Sequence, residues 1–390
     1  MRKIIAALFM LFLLIACGGK DSPIDPDTPK PNPKPNPPTP PEKIVAPPRV
    51  RGFMVSSAEY LDKNTINDAK SWGANVIRMQ FNPVNYATKR KRDFWEALPD
   101  YLNMVQTKID AARSTGIKVI IDLHEPPITI DGKVPSTTTQ GTEDFWKNPE
   151  LKTNFIRMWK EIATKFKGNE YNDVIWGYDL FNEPQINWQH PPKQWGEMSP
   201  DIIAAIRAID KDVWIVYQPG INDNEYKTYV PLKDKRVIYS IHFYKPFSFT
   251  HQGVEKIYGA ENMSREQALA AIQNKYPNGN WNRSAMETDL RPVADFAEKN
   301  NAPILIGEFS VIAWAPIESS KAWLTDAIYT FEKYNFSWCY HAFREWQGWS
   351  LEHAEGTDAF WFKKDPTPAP VAYETERAKI IKAGFKKNEQ

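Results

Sequence analysis

The stretch that decides the fold is residues 154–184, NFIRMWKEIATKFKGNEYNDVIWGYDLFNEP. Its first half carries the apolar spacing of an amphipathic helix. Its second half is a short apolar run that ends in Asn182, Glu183 and Pro184. A helix followed by a buried strand is the repeating unit of a parallel sheet with crossover helices. Whether Glu183 is a working acid or a solvated strand-end glutamate depends on what the rest of the chain places beside it.

The same grammar recurs in both directions. VRGFMVS (50–56) is the first strand candidate, and Ile66, Ala69 and Trp72 then fall at helical spacing before Gly73 and ANVIRMQF (74–81). QTKIDAARSTG leads to IKVIIDLH (117–124), and DIIAAIRAIDKD leads to VWIVYQPG (213–220). RVIYSIHFY (236–244), APILIGEFS (302–310) and NFSWCYHAF (335–343) follow, the last two each preceded by a helical pattern. ETERAKIIKAGFKK makes a closing helix. Eight such units predict a (β/α)8 TIM barrel, whose core of roughly 250 residues grows by loop insertions. An open doubly wound sheet is the competing topology, but no GxGxxG follows the first strand to support its nucleotide-binding form.

In such a barrel the strand interiors pack and the chemistry sits at the strands' C-terminal ends. The polar residues obey that rule. Arg78 lies in the second strand, His124 ends the third, Asn182 and Glu183 end the fourth, His242 and Tyr244 end the sixth, and Glu308 ends the seventh. Any one of them alone reads as an ordinary solvated or core residue; together they converge on one cleft when the barrel closes. Two carboxylates across a cleft suit glycosidic bond cleavage, where one is protonated and donates while the other stays ionised. Arg78, on reaching Glu308, would favour its charged form, and burial against a ring such as Trp188 would favour a protonated Glu183.

NVIR (75–78), DLH (122–124), FNEP (181–184), IHFY (241–244) and IGEF (306–309) together resemble glycoside hydrolase family 5, over nearly all of residues 50 to 345. The resemblance implies a retaining double displacement on a β-linked glycan, of endo-β-glucanase or cellulase type. Glu183 matches the acid/base and Glu308 the nucleophile. Asn182 matches a contact to the sugar 2-hydroxyl, Arg78 and Tyr244 match residues that orient the nucleophile, and His124 and His242 match subsite and acid/base-supporting histidines. Neither cofactor nor metal is implied. The eighth strand departs from the family, which commonly ends it with a Trp as the floor of subsite −1. Here His341 or Phe343 occupies that neighbourhood, with Trp338, Trp346 and Trp349 flanking it. Trp188, Trp195, Tyr258, Tyr276 and Trp281, in the loops, are candidate sugar platforms.

Composition bounds the rest. With 42% hydrophobic and 13% aromatic residues the chain is not a disordered protein, and a net charge of +1 gives no field that would gather nucleic acid. Arg2 and Lys3 precede the apolar run IIAALFMLFLLIA, too short for a comfortable membrane span, and LIACG follows in the manner of a bacterial lipobox. Residues 1–16 therefore read as a lipoprotein signal peptide, with Cys17 as the acylated residue, and the alternative is a signal peptide with an incidental Cys. From Asp21 to Pro48 the chain carries 12 of its 32 prolines, a semi-rigid linker. Residues 17–48 thus read as lipidated Cys and linker, and residues 49–390 as a monomeric catalytic domain. The expected location is membrane-anchored, facing the periplasm or the cell surface.

Four rival readings share the barrel. A metal-dependent hydrolase would need an HxH pair after the first strand, and VRGFMVSSAEY has no His. A glycan-binding barrel without catalysis would lack one of the two glutamates. A transglycosylase would keep both, as would a hemicellulase acting on mannan or xyloglucan.

Overall fold

Each of the eight apolar runs becomes a strand. The computed structural model describes residues 44–389 except 222, 255, 256, 258, 259 and 365. Cys17 and most of the proline-rich stretch lie outside these residues. The strands are β1 (Arg51–Val55), β2 (Val76–Phe81), β3 (Lys118–Leu123), β4 (Ile175–Asp179), β5 (Ile215–Tyr217), β6 (Val237–His242), β7 (Ile304–Phe309) and β8 (Ser337–Phe343). All pair in parallel with their neighbours in sequence, and β8 closes on β1, which makes a (β/α)8 TIM barrel.

The longer helices pack around it: α1 (Lys63–Ser71), α2 (Phe94–Thr115), α3 (Leu151–Lys165), α4 (Lys193–Arg207), α5 (Arg283–Asn300), α6 (Ile317–Lys333) and α7 (Glu376–Phe385). In the deciding stretch, Trp159 and Phe155 of α3 lie 5.4 and 5.1 Å from the rings of Tyr178 and Phe181 at β4. Such aromatic pairs add about 0.5–1.5 kcal/mol each beyond the area they bury. The crossover from β5 to β6 is different: among the described residues it holds only a short 3-10 turn, Asp223–Lys227.

The two-residue period of a strand sets which side chains enter the barrel. Val76, Ile120, Ile238, Leu305 and Cys339 belong to one small apolar cluster inside it. Two residues further along, the same faces carry Arg78, Asp122, Ser240, Gly307 and His341. The interior thus turns from apolar to polar within one layer, on the side where the strands end. At β7 the register with β6 and β8 shifts between Ile306 and Phe309, and Glu308 pairs with His242. Such irregularities re-aim a side chain, which here lets Glu308 join the inner set although strict alternation would turn it outward. Gly307 is needed there: a Cβ would sit 2.9 Å from both His242 Nε2 and Ser240 Oγ.

At the barrel's opposite end Glu332 of α6 ties the closure together. It accepts from Arg51 Nε at 2.7 Å, Arg51 Nη2 at 2.9 Å and Trp338 Nε1 at 3.0 Å, with Arg49 Nη2 at 3.2 Å. One carboxylate therefore joins the strands β1 and β8 at the seam where the sheet closes.

Candidate active site

Arg78 is the centre of the mouth. It is fully buried, and its guanidinium donates in four directions: Nε to Asp179 Oδ2 at 2.9 Å, Nη1 to Glu308 Oε1 at 2.8 Å, and Nη2 to Asp122 Oδ1 at 2.9 Å and Asn182 Oδ1 at 3.0 Å. A planar fork suits this task, since it meets several carboxylates at fixed angles. His124 Nδ1 contacts the other oxygen of Asp122 at 2.7 Å. Burial pulls the His124 pKa down, but the Asp122 carboxylate outweighs it and holds the imidazole up at about 9. Asp179 is pushed up to about 6, because its burial costs more than the charge of Arg78 returns.

The two glutamates differ in setting. Glu308 is only 5% exposed. Burial alone would favour its neutral form, yet His242, His341, Arg78 and His124 outweigh that and hold it well below the usual carboxylate range. Tyr244 donates its hydroxyl to Glu308 Oε2 at 2.9 Å, and burial followed by the Glu308 charge keeps that phenol protonated far above its ordinary value. Glu183 stands past the end of β4 with φ of 49°, a conformation uncommon outside glycine. Its N–H donates to Gln218 Oε1 at 3.2 Å, and its Oε1 lies 2.8 Å from His242 Nδ1. The same Nδ1 is 3.6 Å from Glu308 Oε2. One oxygen of each glutamate and a ring nitrogen of His242 all lie within 4.8 Å of one another. Among the described residues this is the one such trio of donors close enough to surround a cation. Its members are already engaged: His242 with Glu183, and Glu308 with Arg78 and Tyr244.

The structure therefore gathers Arg78, His124, Asn182, Glu183, His242, Tyr244 and Glu308 at one mouth. It also separates the two candidates on β8. His341 faces the mouth, with Nδ1 2.7 Å from the Tyr244 oxygen and Nε2 2.9 Å from Glu345 Oε2. Phe343 packs at 4.6 Å on Phe53, in the hydrophobic core. Trp349 lies 5.7 Å from the His341 ring, and Trp346 stands behind it against Trp314 at 5.6 Å.

The loop rings divide likewise. Trp188 is 55% exposed, whereas Trp195 is fully buried in α4 with its Nε1 bonded to the Gln218 carbonyl, which removes it as a platform. Tyr276 is also buried, its hydroxyl on Asp326 at 2.8 Å. Trp281 lines a groove beside α5 with Tyr229 and Phe296, and Tyr258 lies outside the described residues. Trp338 is core.

Sequence reasoning missed Asp122 and Asp179 as partners of Arg78. The signal was there, since a guanidinium inside an apolar strand must find carboxylates. It also missed Glu345 and Gln218, for which a strand pattern carries no signal.

Residues 42–347 match the cellulase family, glycosyl hydrolase family 5. Endoglucanase C of Acetivibrio thermocellus is 24% identical over 307 residues, covering 73% of this chain and 85% of its own. Cellodextrinase A of Ruminococcus flavefaciens is 26% identical over 282 residues, 71% of this chain and 77% of its own. Among solved structures, Thermotoga maritima Cel5A with cellobiose superposes with a TM-score of 0.62 at 21% identity, over 86% of this chain and 97% of that one. Barrel and family match together define a glycoside hydrolase. The chain belongs to glycosyl hydrolase family 5.

Proposed function

We propose that this glycosidase cuts β-glucan chains internally by a retaining double displacement, with Glu308 as nucleophile and Glu183 as acid/base. One observation carries the reading: one carboxylate oxygen of each glutamate lies within 4.8 Å of one on the other, and the two groups stand in unlike surroundings. That spacing fits the roughly 5–5.5 Å of a retaining pair and falls short of the roughly 6.5–9.5 Å an inverting pair needs for its water. Glu308, surrounded by cations, is kept ionised to attack the anomeric carbon. Glu183, touched by the single imidazole of His242, protonates the departing oxygen and then takes a proton from the water that releases the sugar. Asn182 Oδ1 accepts from Arg78 Nη2, which leaves the N–H side of its amide to bond the sugar 2-hydroxyl.

Glu308→Gln is expected to leave the fold unchanged and to lower turnover by more than about 10³-fold, as loss of a nucleophile does. Near-normal turnover would sink the assignment. Glu183→Ala is expected to spare formation of the glycosyl-enzyme from glycosides with good leaving groups and to block cleavage of unactivated ones. An equal loss on both removes Glu183 from the acid role.

The substrate is tested by product sizing on cellulose, mixed-linkage glucan, xyloglucan and mannan, with added acceptor to reveal transfer to sugar. Mannan belongs in the panel because Thermotoga maritima Cel5A has been solved with mannotriose as well as cellobiose. Short products accumulating ahead of mid-length chains would replace endo with exo action. The anchor is proposed on Cys17: palmitate labelling of the expressed protein should vanish in Cys17→Ser, and a label that persists there refutes it.

A further inference from the structure

Four side chains from the ends of β6, β7 and β8 form one hydrogen-bonded line: Glu345, His341, Tyr244 and Glu308. Counting protons along it fixes a charge. The Tyr244 hydroxyl has one hydrogen, and Glu308 Oε2 accepts it at 2.9 Å. The 2.7 Å contact on the same oxygen then requires a donor, which is His341 Nδ1–H. His341 Nε2 faces Glu345 Oε2 at 2.9 Å, and an ionised carboxylate can only accept. Both ring nitrogens therefore carry hydrogen.

We propose that His341 works as an imidazolium, kept protonated by Glu345, that aims the Tyr244 hydroxyl at Glu308 and sets a positive charge 3.6 Å from it. His341 and Glu345 are positioning residues that act on the nucleophile through Tyr244 and through charge. The inference rests on Glu308 being that nucleophile.

The groups that bear on this ring agree with the assignment. Burial opposes its charge, as does His124 across the mouth, but Glu345 and Glu308 outweigh them and raise its pKa. Glu345, on the exposed rim of the mouth, is itself held low: partial loss of water opposes its ionisation, and His341 and His124 overcome it. His251 shares the Trp349 ring, at 4.8 Å, and is pushed down to about 3 by burial and by the His341 charge. It is therefore neutral and does not compete for the proton.

Loss of the His341 proton reverses the line. The ring keeps Nε2–H toward Glu345, Nδ1 becomes an acceptor, and the Tyr244 hydrogen turns to it. Glu308 then loses one hydrogen bond and one neighbouring charge together, so activity falls as pH rises through the His341 pKa. Removing the Glu345 charge should bring that fall down by about one pH unit, the usual scale for a lost adjacent partner.

The test is kcat/KM against pH on dinitrophenyl β-cellobioside, whose leaving group needs no proton from Glu183. In Glu345→Gln the alkaline limb should move to lower pH by about one unit, with the plateau within about threefold of the parent. In His341→Gln that limb should disappear and the plateau fall by about tenfold, one hydrogen bond's worth. A limb superimposable on the parent's in either variant overturns the proposal. Labelling with a 2-fluoro-glycoside inactivator keeps the premise separate: a label on the Glu308 peptide upholds the nucleophile, and a label elsewhere sinks that reading whatever the limbs do.

Discussion

Arg78 shows how much one residue can be asked to do. A guanidinium wholly out of water is tolerated because Asp122, Asp179 and Glu308 meet it, and those carboxylates are tolerated because it meets them. Lysine offers a point charge without the fork, so Arg78→Lys should strand at least one buried carboxylate. We expect a loss of about 3–5 kcal/mol in urea unfolding, with kcat/KM down by at least about 100-fold. A variant within about 1 kcal/mol of the parent would show that the network reorganises freely. At this scale the sequence was readable where polar residues interrupt apolar runs at strand ends, which is how Arg78, Glu183, His242, Tyr244 and Glu308 could be named. It was unreadable for Glu345, because an acid in a loop after β8 looks like any surface acid until His341 is seen beside it.

Among the elements, strands were more legible than loops, and α4 shows why. Trp195, Met198, Ile202 and Ile206 lie on one buried helical face. Pro200 sits inside this helix, and a proline there ordinarily marks a helix start or break. The readable helical pattern therefore begins at Asp201, leaving Trp195 among the loop rings although it is core. Trp188, seven residues earlier, has the opposite fate: a tight turn closed by the Ile186–His190 bridge carries it, and its N–H is held by Gln185 Oε1 at 2.6 Å. An exposed indole held on a short turn makes a stacking surface at low entropic cost. Trp188→Ala should raise KM for long glucan chains by about 5–10-fold, the worth of about 1–1.4 kcal/mol of ring contact, and leave the aryl cellobioside unaffected. Equal KM changes on both substrates would place the ring's effect at the bond-breaking centre instead.

For the molecule as a whole, the barrel is held shut by Glu332 and pried at by its own shortest strand. Burial would raise the Glu332 carboxyl, but hydrogen bonds from Arg51 and Trp338 and the charge of Arg49 bring it down to about 2, from an ordinary value of 4.5. A depressed carboxylate stabilises the fold above its unfolded pKa and ceases to do so as pH falls through the folded one. Glu332→Gln should therefore cost about 2–3 kcal/mol at neutral pH, and the gap to the parent should close as pH drops from about 4.5 toward 2. A gap that does not change with pH would assign the loss to packing. The barrel's closed order was legible from the run of eight alternating units, but the thin wall behind β5 was not, because a crossover that holds only a 3-10 turn among the described residues leaves a mainly polar stretch to read. That wall has a mechanical consequence. β5 pairs with β4 only through Tyr178 and Asp179, while β2 and β3 pair along their full lengths. Amide exchange should thus be fastest in Ile215–Tyr217 among the strands, and this sector should open first in mild denaturant. Glu183 follows β4 on one side of it and Glu308 ends β7 on the other, so each opening would stretch the gap between the two carboxylates. The sheet's weakest joint is then also the clamp on the distance that chemistry requires, and tightening it should narrow the spread of turnover rates between single molecules.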